Sequence, residues 1–395
     1  MKSQSLFILG RQQLIDLAEL MSLYGEDVRM VEQTAAIIDR SPNTIDFNRI
    51  GGSIKLCSVL DTLPTDDWQA IQQAVIDLLT DRVSKLSAGK ITIGFSVYNF
   101  RTTSTQVMSL GLSVKKSLRH NGRSVRFVPN VSAQLNSAQV IHNHLTRDHG
   151  FEIVLCREGH RTIIAQTTNV QDIDSYSRRD YGRPKRDPRV GMLPPKLAQI
   201  MINLGVGADL SNLTLLDPFC GTGVVLQEAL LMGCRVYGSD INPRMVEYTK
   251  LNLDWLRHNY NIPEFGTLPL EVQDATTAVW KNHFDTVVSE LFLGPPLTKL
   301  PNKDQLESIR QRCDSEIEKF LINIAKQVPK NTRLCLALPA WQVADNQFIR
   351  LPLLDHLSQL GYNQPSFMQH FKPAGLIYAR LNQKVARELL IITRK

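Results

Sequence analysis

Four acidic residues stand at the ends of apolar runs: Asp217 after residues 213–216, Asp240 after 235–239, Asp274 after 268–272, and Glu290 after 284–288. If those runs are parallel strands, their ends share one edge of a sheet, the edge where ligands bind. The first acid opens Asp217-Pro218-Phe219-Cys220-Gly221-Thr222-Gly223, and a helical run follows over 224–232. Gly221 and Gly223 remove Cβ atoms where a backbone must pass close to a ligand. Asp240 lies 23 residues beyond Asp217, near the ~20-residue offset at which a carboxylate meets ribose hydroxyls. Asp274 suits an adenine amine. Pro218, Ile241 and Ala275 accompany these residues as expected contacts. A dinucleotide pyrophosphate needs a third small residue in the loop, and Val224, Val225 and Leu226 stand there instead. An acid ahead of a two-glycine loop suits a cationic nucleoside without phosphate, S-adenosylmethionine.

The elements that position these residues follow from periodicity. Beyond residue 190, apolar runs of strand length alternate with helical patterns at 195–204, 243–258 and 305–328, which argues a parallel, doubly wound α/β sheet. A helix is also expected over 348–360. The tail, 369–380 with 386–393, reads as an antiparallel β-hairpin. Upstream, strands are expected at 6–9, 54–60, 91–97, 125–128, 151–156 and 162–167, with helices at 12–24, 66–86, 105–118 and 136–146. Short strands are expected at 28–38 and 45–48. The organisation read from this pattern is an N-terminal α+β unit (1–49), a mixed α+β domain (50–171), a basic linker (172–190) and an α/β domain (191–395).

The linker carries Arg178, Arg179, Arg183, Lys185 and Arg186 among tyrosines and prolines, with no hydrophobic period. One reading is a solvated strap; the other is a strip that contacts nucleic-acid phosphates. The chain's 395 residues carry a net charge of +7, compatible with such a partner without requiring it. Six scattered Cys without a CxxC pair argue against a disulfide framework or zinc site and suggest a cytoplasmic setting. His142, His144 and His149 have no Cys pair beside them, and no metal is expected. No apolar stretch approaches the length that spans a bilayer, so no membrane partner is expected either; a monomer is the working expectation.

The stretches LLDPFCGTG and VYGSDINPRMVEYTKLNL closely resemble the class I methyltransferases that modify guanine N2 in tRNA, the guanosine-10 N2-methyltransferase family. RRDYGRPKRDPRVGMLPPKLAQIMINL resembles that family's segment between a THUMP RNA-binding domain and the catalytic domain. The likeness is specific over 172–290 and weaker over 50–171. It implies a Rossmann-like, seven-stranded, mostly parallel sheet with an antiparallel C-terminal hairpin, behind an N-terminal THUMP-like region. It also implies that Asp217, Gly221 and Gly223 hold the methionine part of the cofactor, Asp240 its ribose and Asp274 its adenine. The implied partner is tRNA, gripped at its acceptor end, and the implied target is a D-arm guanosine.

The resemblance breaks after the fourth strand. The family carries Asp-Pro-Pro-Tyr or a close variant there, and this chain has Ser289-Glu290-Leu291-Phe292-Leu293-Gly294-Pro295-Pro296. An exocyclic amine is a poor nucleophile because its lone pair delocalises into the ring. It needs an acceptor for its N–H bonds and an aromatic face for the flipped base. Glu290 is the expected acceptor, Phe292 the expected aromatic face and Ser289 their neighbour in the motif. The expected activity is S-adenosylmethionine-dependent N2-methylation of a tRNA guanosine by direct displacement. Two other readings stay open: an RNA-binding protein that keeps the cofactor fold as a scaffold, and an amino-methyltransferase acting on DNA.

Overall fold

The computed structural model describes residues 3–187, 192–262, 266–297, 299–371, 375–380 and 383–395. Residues 188–190 of the expected linker and 372–374 of the expected tail strand lie outside the described residues. The chain divides into two compact units, residues 1–17 with 26–174 and residues 18–25 with 175–395.

The first unit is built from β1 (Ser5–Leu9), α1 (Gln13–Tyr24, which crosses the division), β2 (Arg29–Val31), β3 (Ala35–Ile38), β4 (Ser53–Leu63), α2 (Trp68–Ser84), β5 (Ile91–Tyr98), α3 (Ser104–His120), β6 (Val125–Phe127), α4 (Ser137–His142), β7 (Gly150–Glu158) and β8 (Arg161–Val170). Its strands form one sheet in the order β2-β3-β1-β4-β8-β7-β5-β6. The expected boundary at residue 49 is not a break in this sheet, because β1 pairs antiparallel with β4 from Ser5 opposite Ser58 to Leu9 opposite Ser53. Residues 45–48 do not form a strand; a 3-10 turn takes Phe47–Arg49. Asp67 caps α2 by accepting from Ala70 N, and Thr103 with Gln106 forms a capping box on α3. Such caps satisfy donors that the first helical turn leaves orphaned. The period-3.6 faces of α2 (Ile71, Val75, Leu79, Val83) and α3 (Val107, Leu110, Val114, Leu118) share a core with Ile91, Ile93 and Phe95 of β5.

The second unit comprises α5 (Ile173–Tyr181), α6 (Pro195–Val206), β9 (Thr214–Asp217), α7 (Val224–Leu231), β10 (Arg235–Asp240), α8 (Pro243–Asn259), β11 (Thr267–Val272), β12 (Thr286–Glu290), α9 (Lys303–Ile324), β13 (Arg333–Ala344), β14 (Gln347–Ile349), β15 (Tyr362–Asn363), β16 (Leu376–Tyr378) and β17 (Val385–Arg394). The sheet runs β11-β10-β9-β12-β13-β17-β15, with β14 beside β13 and β16 beside β17. The five strands from β11 to β13 are parallel and β17 is antiparallel. Among the described residues the sheet has nine strands against the expected seven, and seven of them make the continuous path. β16 and β17 do pair antiparallel over three residues, but β17's long partner is β13, from Arg333 opposite Thr393 to Trp341 opposite Val385.

Two helix expectations fail for identifiable reasons. Residues 348–360 are not a helix: Phe348 lies in β14, and only Pro352–Asp355 makes a 3-10 turn. Leu351, Leu353 and Leu357 are buried in the core nonetheless, so the leucine spacing reports anchoring rather than helical period. Conversely, the expected linker contains a helix, α5. Its buried position is Arg179, a residue that a hydrophobic-period reading does not count as inward-facing.

Candidate active site

Strand β9 ends at Asp217, and the chain turns through Gly221 (φ 51°) and Gly223 (φ 81°) into α7. Both glycines adopt the left-handed backbone that other residues rarely take. A Cβ on Gly223 would lie 2.8 Å from the Thr249 methyl, whereas one on Gly221 would meet nothing nearer than 3.9 Å. Gly223 thus lets α8 pack against the loop, and Gly221 leaves open space above it. The loop is tied down from three sides. Thr249 Oγ1 donates to Gly221 O (2.8 Å), Asn252 Nδ2 donates to Thr222 O (2.8 Å), and Gly221 N donates to Asp240 Oδ2 (2.9 Å). Asn252 also exchanges two hydrogen bonds with the Lys185 backbone, both 2.9 Å, which fastens the segment after α5 to the same helix.

Above the loop lies a cleft of about 390 Å³. Its described lining includes five carboxylates, Asp187, Asp217, Asp240, Glu290 and Glu316, and no Lys, Arg or His. The apolar walls include Leu193, Phe219, Val225, Ile241, Met245 and Phe292. Burial pushes the Asp217 carboxyl up to about 7, and the nearby Asp240 and Glu290 charges add to the rise. Hydrogen bonds from Ser289 and Phe219 N oppose it. Burial also raises Asp240, against donations from Asn242 N and Gly221 N. Each Asp240 oxygen accepts one of these bonds, which leaves lone pairs for a ligand hydroxyl. Glu290 is raised by burial and lowered by Arg387 and Arg380. Arg387 Nε donates to Glu290 Oε1 from β17.

Asp217, Gly221, Asp240, Ile241, Glu290 and Phe292 all line the cleft, as their types suggested. Pro218 and Gly223 lie in the loop but do not line it. Ser289 is a correction: its side chain is fully buried and its Oγ donates to Asp217 Oδ1 at 2.6 Å, so it serves the first acid instead of a base. Asp274 and Ala275 also do not line the cleft. Asp274 accepts from Thr276 N and Oγ1, and Ala275 belongs to the core. The Asp274 charge nevertheless contributes to the rise of the Glu316 carboxyl, so the two acids are near each other.

The five basic residues expected to meet phosphate divide into two groups. Arg179 is 8% exposed, and its Nε donates to buried Glu228 at 2.7 Å. Arg183 is 3% exposed and lies 3.6 Å from Asp180. Both side chains are committed to internal pairs and do not offer surface charge. Arg178 and Arg186 are exposed, Arg186 stacking on Tyr181, while half-buried Lys185 lies over Tyr248. Sequence reasoning missed Arg387, Glu316, Met245, Thr249 and Asn252. For Arg387 a signal existed, an arginine inside the apolar run 385–392.

The sheet order, the acid-tipped strands and the glycine loop define a Rossmann-like methyltransferase fold. The family described as "Methyltransferase domain" matches residues 209–365. The chain is 33% identical over 163 residues to tRNA (guanine(10)-N2)-dimethyltransferase of Methanothermobacter thermautotrophicus, spanning 40% of this chain and 43% of that protein. It is 35% identical over 132 residues to the Pyrococcus abyssi protein of the same name, spanning 33% and 35%. The chain thus aligns with less than half the length of these curated relatives. Among solved structures, TrmN from Thermus thermophilus shares the fold at 14% identity, with a TM-score of 0.52 over 100% of this chain and 99% of that one. SMU.472 complexed with SAH has a TM-score of 0.50 at 13% identity, over 99% and 98%.

Proposed function

We propose that this chain is an S-adenosylmethionine-dependent methyltransferase that methylates the N2 amine of a tRNA guanosine. The observation that carries the cofactor is the charge of the cleft: its described lining has five carboxylates and no cation, and only Asp187, by Arg244, and Glu290, by Arg387, are paired from outside it among the described ion pairs. A phosphate-bearing nucleotide would be repelled there, whereas a sulfonium and an ammonium would be attracted. The remaining donors fit the same molecule. Asp240 has lone pairs left for ribose hydroxyls, and Ile241, 66% exposed at the cleft rim, and Met245 offer an apolar platform to an adenine face. Gly221 leaves room beside Asp217 for the amino-acid end. S-Adenosylmethionine, when bound, supplies an electrophilic methyl group on sulfur.

The chain's own residues then act on the acceptor. Glu290, at the end of β12, accepts a hydrogen bond from the exocyclic amine and takes the proton that the nitrogen gives up as it gains the methyl group. Phe292 supplies one aromatic wall for a base flipped out of its stack. Arg312 lies over its ring at 5.3 Å, so one face of Phe292 is already covered.

An RNA partner is supported by the distribution of charge. Between Arg82 and Arg147 there are ten Lys or Arg and no Asp or Glu, leaving 35 basic against 38 acidic residues elsewhere. The excess positive charge therefore belongs to one tract of the first unit. Eight of the ten are exposed and two half-buried, as expected for a surface that neutralises phosphates. This is the region, within 50–171, that we read as THUMP-like. The names of the curated relatives favour tRNA and the guanosine at position 10. The test is incubation with methyl-labelled S-adenosylmethionine and unmodified tRNA, followed by nucleoside analysis. Labelled N2-methylguanosine or its dimethyl form is expected. Cofactor binding without transfer to any RNA would leave the fold as a scaffold and overturn the proposal.

A further inference from the structure

Glu290 and Arg387 are 97 residues apart in sequence, and the sheet register explains why they meet. Glu290 lies opposite Ala337, and Ala337 lies opposite Leu389. Residues opposite one another point to the same face, and so do residues two apart on one strand. Arg387 therefore shares a face with Glu290, two strands away, roughly 10 Å in strand spacing. Between them on β13 stand Ala337, opposite Glu290, fully buried and with only a methyl group, and buried Pro339, opposite Arg387. The small Ala337 side chain leaves a corridor along which the guanidinium extends to the carboxylate. Arg387 is 2% exposed, so this charge is taken out of water and needs its partner. The neighbouring Glu388 points to the other face and is engaged by Arg350.

We propose that Arg387 is a positioning residue for the reaction: it reaches across Ala337 to hold Glu290 ionised, with the carboxylate's remaining lone pairs available to the acceptor amine. This rests on the function proposed above. The groups acting on Glu290 are Arg387 from β17 and Arg380 before it, and the Glu290 charge in turn raises Asp217 at the end of β9. Burial pushes the carboxyl toward its neutral form, which accepts poorly. Arg387 is the contact that opposes burial directly, with Arg380 acting at longer range. A hydrogen-bond acceptor needed in its charged form gives a rate that falls about tenfold per pH unit below its pKa.

The experiment compares wild type with Arg387→Met, Arg387→Lys and Glu290→Gln. The Glu290 carboxyl is followed by ¹³C NMR of glutamate-labelled protein, its signal assigned by its loss in Glu290→Gln. Methyl transfer to tRNA is followed across pH 6 to 9. Arg387→Met is expected to raise the Glu290 titration by a unit or more and to move the acid limb of the rate profile with it. Cofactor affinity should be preserved, and Arg387→Lys should restore most of both shifts. Arg387→Gln keeps a donor without the charge and replaces the Met variant if that fails to fold. An active Arg387→Met or Arg387→Gln protein with unchanged Glu290 titration and unchanged profile overturns the inference. A wild-type protein that transfers no label sinks the proposed function separately, because the NMR titration still decides whether Arg387 sets the charge of Glu290.

Discussion

Replacing Asp217 by Asn isolates the electrostatics of the cleft. Burial beneath the loop raises this carboxyl to about 7, with the nearby Asp240 and Glu290 charges adding to the rise. In the empty protein it is therefore roughly one-tenth ionised at pH 6 and nine-tenths ionised at pH 8. A cationic ligand selects the ionised form, and apparent affinity scales with the fraction of protein in that form. Cofactor binding should tighten about tenfold between pH 6 and pH 8, equivalent to ~1.4 kcal/mol, with release of a proton near pH 7. Calorimetry in buffers of different ionisation enthalpy measures both quantities. Asp217→Asn should weaken binding at pH 8 and remove this component of the pH dependence, so the wild-type and variant profiles should differ by that tenfold slope. The sign for stability runs the other way. A carboxyl raised in the folded state contributes stability present below its unfolded pKa and lost as pH rises through about 7. The cofactor-free Asn variant should consequently melt higher than wild type at pH 8, by at most about 4 kcal/mol in unfolding free energy. Parallel binding profiles for wild type and Asp217→Asn would refute the claim that this acid reads the ligand's charge.

The division of the basic segment has its own test. Arg179→Ala strands buried Glu228 without its partner and should cost about 3–5 kcal/mol of stability, read by chemical denaturation. Arg178→Ala, on the exposed side of α5, should leave stability within about 0.5 kcal/mol while lowering RNA affinity and the slope of that affinity against salt. Gly223→Ala combines an unfavourable φ of 81° with a contact of 2.8 Å to Thr249. It should destabilise by about 1–3 kcal/mol and abolish cofactor binding in calorimetry, because α8 can no longer close on the loop.

How much of this was written in the sequence depends on how local each rule is. The stretch from Asp217 to Gly223 was legible because a strand, two glycines and a helix are neighbours in the chain, and their chemistry needs no tertiary information. The acids Asp240 and Glu290 were legible for the same reason, as residues closing apolar runs. Ser289 was not: its orientation follows from the alternation of β12, which turns one residue toward Asp217 and the next toward the cleft. Arg179 looked like surface charge because nothing near it in sequence announces Glu228, 49 residues away. The Arg387–Glu290 pair and the Asn252 clamp depend on strand register and helix packing, which a single sequence does not display. The apolar tail hid Arg387 inside what read as one arm of an antiparallel hairpin.

If an acidic cleft binds the methyl donor and Glu290 receives the acceptor amine, the two roles separate in a single variant. That variant is Glu290→Gln, assayed side by side for cofactor binding and for label transfer to unmodified tRNA. Cofactor affinity should stay within about threefold of wild type, and transfer should fall by at least 100-fold, on the order of a lost acid–base group. Full turnover in Glu290→Gln would contradict that role for Glu290.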